Sequence, residues 1–414
     1  MPRSRFGMLL LAVWALVQLS GCAVVRFDVP GASNEAAYAT AHPLYAEYCA
    51  LSQIKKIQGY GADIRGEIGG HAVFYLNGAC RVEGVGYPVL RPCREDEPDG
   101  VGLSMNAHFR NAKWVATPGR DFFFNGGLRP EEAVTRPVYE AVRAEARRLG
   151  VYDGVVFNDW VFQDRPSWPV DLDDETWRYE VSMATDFAIA LGRGRYCVRV
   201  PVDRAQMAAM IDFLNRQNAP YRSGERVFRW SVFNDNCIHL AHNALAAAGL
   251  WREWPIERFL AVAVFDFPVP RNEFVNLARR LNDDWLPDPG SVYRDVVARD
   301  LLLRHGRLPT GPGGLVEARG PQARNAVYET RLKMIFFDEP TFGSFQERFD
   351  RIFAEARTLD AAANRAYFAG LARAAVAGRR PLDWWTARAP FRDDPEGFAL
   401  VYERFYRLMD QLAS

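Results

Sequence analysis

The chain has 414 residues, 49% of them apolar, with 51 Lys and Arg against 51 Asp and Glu for a formal net charge of zero. That balance excludes the chain-wide basic excess of a nucleic-acid-binding protein and any chain-wide attraction to anionic lipid. The apolar content supports a sizeable core, in two domains or one large elaborated one, and the sequence holds neither an internal repeat nor a low-complexity tract.

In chain order, MPRSRFGMLLLAVWALVQLSGCAVV places Arg3 and Arg5 before an apolar run from Phe6 to Val17. Such a run suits a signal peptide and is short for a membrane span, which needs about twenty residues. Leu19, Ser20, Gly21 and Cys22 resemble the lipobox of bacterial lipoproteins, whose cysteine is acylated and becomes the first mature residue. Ala23 after it resembles the outer-membrane sorting pattern. The expectation is a signal peptide over 1–21, a tether over 22–44, and a protein held through lipid on Cys22 to the periplasmic side of the outer membrane.

His71 opens GGHAVFYLNGACRVEG, where His71 to Leu76 reads as a strand, Asn77-Gly78 as a hairpin turn and Ala79 to Glu83 as the return. A two-residue loop pairs His71 with Gly84; a three-residue loop with a glycine bulge pairs it with Glu83 and sets a carboxylate against the imidazole. Residues 85 to 190 carry aromatic runs such as RDFFFNGG, one helix from Pro137 to Leu149, and His108, a loop histidine that rivals His71 as a base. A strand from Arg195 to Val200 follows, then a helix capped by Asp203 with Gln206 three residues on.

The next stretch, FNDNCIHLAHNALAAAGL, predicts a helix capped by Asn236 or Asp235, with an apolar stripe and Gly249 at its end. Cys237 falls in its first turn, where unpaired backbone N–H groups and the helix dipole favour a thiolate. His239 and His242 follow two and five residues on, so neither shares its direction. Their spacing suits a metal, but no Glu or Cys cluster completes a site, and no metal or cofactor is expected. Beyond Leu250, RLPTGPGGLVEARGP over 307–321 reads as a loop. Amphipathic helices near 345–357, 359–377 and 395–413 offer a packing or partner surface.

With Cys22 lipidated and Cys237 reduced, Cys49, Cys80, Cys93 and Cys197 remain, an even number suited to an oxidising compartment. Cys80 and Cys93 flank one short loop and are the easiest pair to picture, though four cysteines allow three connectivities.

A histidine opening a hairpin, a polar residue twelve positions on, and a distant Asn-Cys-x-His starting a helix resemble the circularly permuted branch of the papain-like NlpC superfamily, which includes lecithin:retinol acyltransferase-like enzymes. The DNC run is also similar to the Lnb-type periplasmic domain of bacterial lipoproteins. The resemblance rests on GGHAVFYLNG and DNCIHLAHNAL and covers about half the chain. It implies an α+β fold: a permuted papain-like antiparallel sheet packed on the nucleophile helix over 45–255, with a large insertion at about 85–190, then a mostly helical region over 256–414. It further implies Cys237 as nucleophile, His71 as base and Glu83 as the group orienting the base, although the family often has histidine at the third position. The chemistry would be thiolate attack on an amide or ester carbonyl of a cell-wall peptide, a lipid or an acylated protein, through an acyl-enzyme. Backbone N–H groups at the helix start, around Asp235 and Asn236, would hold the oxyanion. The alternative expectation is a non-catalytic envelope scaffold that keeps the fold and binds a protein partner through the C-terminal helices.

Overall fold

The computed structural model describes residues 35–57, 70–95, 97, 100–163, 172–256, 269–330 and 345–414. Cys22 and the expected signal peptide lie outside them. The described chain is mixed α+β. In order it runs α1 (Glu35–Ala41), β1 (Tyr45–Leu51), β2 (His71–Asn77), β3 (Ala79–Arg81), β4 (Leu90–Pro92), β5 (Val101–Ser104), β6 (Val115–Pro118), α2 (Arg120–Asn125), α3 (Arg136–Arg148), α4 (Trp160–Gln163), α5 (Asp174–Ser182) and β7 (Arg195–Pro201). It continues with α6 (Arg204–Arg222), α7 (Cys237–Ala247), α8 (Pro270–Asn282), α9 (Pro289–Arg294), α10 (Val296–His305), β8 (Leu315–Arg319), α11 (Phe345–Ala354), α12 (Ala356–Leu359), α13 (Ala361–Ala377), α14 (Leu382–Thr386) and α15 (Pro395–Ala413). Among the described residues no helix is long and apolar enough to cross a membrane.

Six strands form one antiparallel sheet in the order β6-β5-β2-β1-β7-β8. The expected hairpin is absent: β2 lies between β1 and β5, with His71 opposite Leu51 and Phe74 opposite Leu103, while β3 pairs with β4. Burial explains the choice. The seven residues of β2 are buried almost throughout and need a long apolar neighbour on each side; YAEYCAL in β1 supplies one over its whole length, whereas the return strand has three residues. Gly78, at φ +116°, lets the chain turn away against the Leu44 side chain.

The region expected as an insertion, 85–190, contributes β5 and β6 to this sheet. The stretch expected as a loop over 307–321 contains β8, which closes the other edge against β7. Its five residues, LVEAR, are short enough for the flanking glycines and prolines to mask them.

Both faces are covered. On one, Ala46, Tyr48, Ala50, Ala72, Phe74, Val198 and Val200 pack with the buried side chains of α6, α7 and α8. On the other, Tyr45, Cys49, Leu51, Val73, Tyr75 and Cys197 pack with Tyr38 of α1 and Phe123 and Phe124 of α2. This second face also carries charge. Glu47 meets Arg120 at 2.9 Å and Arg199 at 3.2 Å, and Arg199 also pairs with Glu317. A bond between Cys49 and Cys197 joins β1 to β7, and another joins Cys80 to Cys93. Helices α9, α10, α13 and α15 enclose a separate apolar core around Phe391, Phe398 and Phe405.

Candidate active site

The first turn of α7 is fixed by its cap. Asn236 is extended (φ −128°, ψ −177°), and its side-chain oxygen accepts from Ile238 N at 2.9 Å and His239 N at 3.3 Å. Its amide nitrogen donates to the Val232 carbonyl at 2.8 Å. Asp235 pairs with the buried Lys113 ammonium at 2.8 Å. Both side chains hold the helix start, Asn236 as one of the two caps that the sequence offers. The Asn236 amide is spent on capping, and an ionised Asp235 has no proton to offer. The helix itself is buried from Cys237 to Leu245, rather than along a single stripe. Two of its polar members are satisfied by hydrogen bonds: Asn243 exchanges them with the Trp254 backbone, and His242 sits 2.6 Å from Glu273 Oε1 and 2.8 Å from the Arg252 carbonyl, stacked on Trp254. His239 closes the capping box. Both histidines thus serve the fold.

Cys237 is the one unbridged cysteine among the described residues, and it is buried. Burial pushes its thiol up to about 11, against the pull of the Ala72, Cys237 and Ile238 backbone N–H groups and the Arg193 charge. The expected thiolate is therefore not the resting form: loss of water outweighs the helix dipole, which in partly buried settings is worth about 2 kcal/mol at most. The sulfur lies against Ala72, the residue after His71, at the end of β2 that β5 leaves unpaired.

His71 is buried, and burial with the neighbouring His108 pulls its pKa down to about 4. Its Nε2 is 3.0 Å from Ser104 Oγ, which in turn donates to Asp186 Oδ1 at 2.6 Å. Because the single Ser104 proton goes to the carboxylate, the ring must donate through Nε2, leaving Nδ1 as the unprotonated nitrogen, a tautomer assigned from the network. Asp186 also accepts from Asn106 Nδ2 at 2.8 Å and Tyr152 OH at 2.8 Å. Burial nevertheless raises its carboxyl to about 6. The loop presenting it is strained on both sides: Ala184 at φ 60° and Ala188 at φ 51° are left-handed without being glycine. Arg193 reaches into this loop, donating to the Ala184 carbonyl at 2.6 Å and to the Ser52 carbonyl at 2.6 Å.

Glu83, expected beside His71, stands in an exposed turn after β3. His108 is buried under Phe157 and Trp160, its pKa also drawn down to about 4 by burial. Its Nδ1 has no partner among the described residues. Alternation along β2 sets His71 on the side of Val73 and Tyr75, whereas α7 packs on the side of Ala72 and Phe74. Cys237 and His71 thus share one end of the strand, and among the described residues no hydrogen bond joins ring to sulfur. Sequence reasoning missed Ser104, Asp186 and Arg193. One signal was available: Asp186 is the lone charge in SMATDFAIALG, and a lone acid in an apolar run implies a buried, partnered carboxylate. The chain matches no family model, no curated protein and no solved structure.

Proposed function

We propose that this protein is a cysteine-dependent hydrolase or acyltransferase of the permuted papain-like type, acting on an amide or ester carbonyl. His71 Nδ1 takes the Cys237 proton once the ring turns past the end of β2 that β5 leaves unpaired, since imidazole and sulfur start on opposite faces of that strand, and the sulfur adds to the carbonyl carbon. Backbone N–H groups at the start of α7 receive the oxyanion. The imidazolium then protonates the departing amine or alkoxide, and water or a second acceptor releases the acyl group. Ser104 and Asp186 take the orienting role assigned by resemblance to Glu83. The observation that supports this reading is the placement near one end of β2, on opposite faces, of the unbridged cysteine on a capped helix start and of an imidazole fixed through Ser104 by a buried carboxylate.

The setting we propose is the periplasmic side of the outer membrane, with the chain tethered through Cys22. Two disulfides support an oxidising compartment. Cell-wall peptides, lipids and acylated proteins are the substrate classes. A second reading, a non-catalytic envelope scaffold, draws on the burial of the thiol and its raised pKa. The two separate by screening wild type, Cys237→Ala and His71→Ala against muropeptides, phospholipids and acylated proteins. A turnover present in wild type and abolished in both variants supports the enzyme. A turnover equal in all three, or none with any of these substrates, supports the scaffold.

A further inference from the structure

Five of the eight large apolar side chains exposed among the described residues gather at one rim: Val156, Trp160, Val227, Trp230 and Val232, each between 37% and 52% exposed. The backbone makes them contiguous. Arg110 N donates to the Val156 carbonyl, and Phe228 N donates to the Arg110 carbonyl, so the segments bearing Val156 and Val227 flank a shared strand-like bridge. Trp160 lies edge-on to His108, with ring centroids 5.5 Å apart. At the other end the Val232 carbonyl holds the Asn236 cap beside Cys237. The rim thus runs from the histidine pair to the start of α7.

Its charge is one-sided. In YRSGERVFRWSVF, exposed Arg222, Arg226 and Arg229 alternate with the apolar residues against a single acid, Glu225, and nearby Arg110 and Asp159 face one another at 3.9 Å. Exposed tryptophan and valine interleaved with arginine suit a bilayer interface, where apolar groups enter the acyl boundary and guanidinium groups meet phosphate. A protein partner would leave the local excess of two positive charges to be matched by a specific acidic patch. A leaflet containing anionic lipid matches it without one.

We propose that this rim is a membrane-docking surface that seats the start of α7 on an anionic bilayer. The contact does not depend on catalysis by Cys237; that the substrate is then drawn from the bilayer rests on the function proposed above. The test is amide hydrogen exchange of the full chain on phosphatidylcholine vesicles with and without about 30% phosphatidylglycerol. Residues 223–235 should exchange at least about tenfold more slowly on the anionic vesicles. Arg229→Gln should give back about fivefold of that protection, the value of one arginine near an anionic surface. Trp230→Ser with Val232→Ser, substitutions confined to exposed side chains, should abolish it while thermal unfolding stays unchanged. Running Cys237→Ser in parallel separates the two ideas, because docking should persist in it. Equal exchange of 223–235 on both vesicles, or full protection in the Trp230→Ser/Val232→Ser chain, would overturn the proposal.

Discussion

The protonation state of Cys237 is the sharpest consequence of the structure. With its thiol raised from an ordinary 9.0 to about 11, the thiolate fraction at pH 7 is about one in ten thousand, against about one in a hundred for an ordinary thiol. Iodoacetamide at pH 7 should therefore label Cys237 at least about a hundred times more slowly than a small free thiol, because burial of the sulfur slows access further. The rate should climb about tenfold per pH unit from pH 7 to 10 with no plateau, since the titration lies above that range. The assay is the rate of adduct formation by intact mass on the native, non-reduced chain, where the other described cysteines are locked in bridges. Labelling in denaturant supplies the reference rate. A plateau below pH 8, or a native rate matching the denatured one, would refute the argument that desolvation outweighs the helix dipole and the three backbone N–H groups. Either result would restore the low-pKa thiolate expected from sequence.

Three further perturbations test the surroundings. Ser104→Ala strands His71 Nε2 and removes one donor to Asp186; urea unfolding should show a loss of about 1–3 kcal/mol, and any turnover should fall in kcat with little change in KM. On acidification, His71 and His108 fall from 6.5 to about 4 in the folded state, so their stabilising contribution is complete above pH 6.5 and is lost as pH falls through 4, about 3 kcal/mol for each. Asp186, raised from 3.8 to about 6, runs the other way: its contribution is present below pH 3.8 and lost as pH rises through 6, which offsets one histidine. His108→Phe should accordingly flatten stability between pH 7 and 4, and a denaturation series with an unchanged slope would contradict the pairing of these groups. Replacing both members of Cys49–Cys197, 148 residues apart, should cost about 5 kcal/mol on the loop-closure estimate, against about 3 for Cys80–Cys93, 13 apart; equal losses in calorimetry would show that native strain or residual unfolded structure dominates.

Local signals in the sequence carried well where the chemistry was local. Asp203 and Gln206 form the capping box expected of them, with the helix starting at Arg204, and the helix expected from Pro137 runs from Arg136 to Arg148. They carried badly where a strand's neighbour decided the outcome. Asn77-Gly78 is a strong hairpin signal, yet β2 gains more by lying between β1 and β5 than by pairing with three residues. The strands YAEYCAL, RYCVRVP and LVEAR carry four charges, Glu47, Arg195, Arg199 and Glu317, all of them buried. Helices α1 and α2 cover them and bring Glu35 and Arg120 into the same network. No periodicity on a single strand reveals a partner that arrives from elsewhere in the chain.

The same distinction governs the candidate site. Cys237 was legible because a cap, a cysteine and an apolar run stand side by side in sequence. His71 was legible because it opens a strand. The group that orients the imidazole was not, for a physical reason: a carboxylate acting through Ser104 has to be buried, and burial is a property of the assembled sheet. Asp186 lies 115 positions from His71 in the sequence, and it is held by donors from two separate segments, Ser104 and Asn106 on one and Tyr152 on the other. An exposed residue such as Glu83 cannot replace it, because water would screen its charge before it reached the ring. Asp186→Asn decides between the two. It keeps the shape but turns an amide N–H₂ toward groups that donate, so a loss at least tenfold larger than that of Glu83→Gln, read as kcat or as the pH dependence of Cys237 alkylation, is the outcome required by a buried relay. Equal effects at the two positions would refute the orienting role of Asp186.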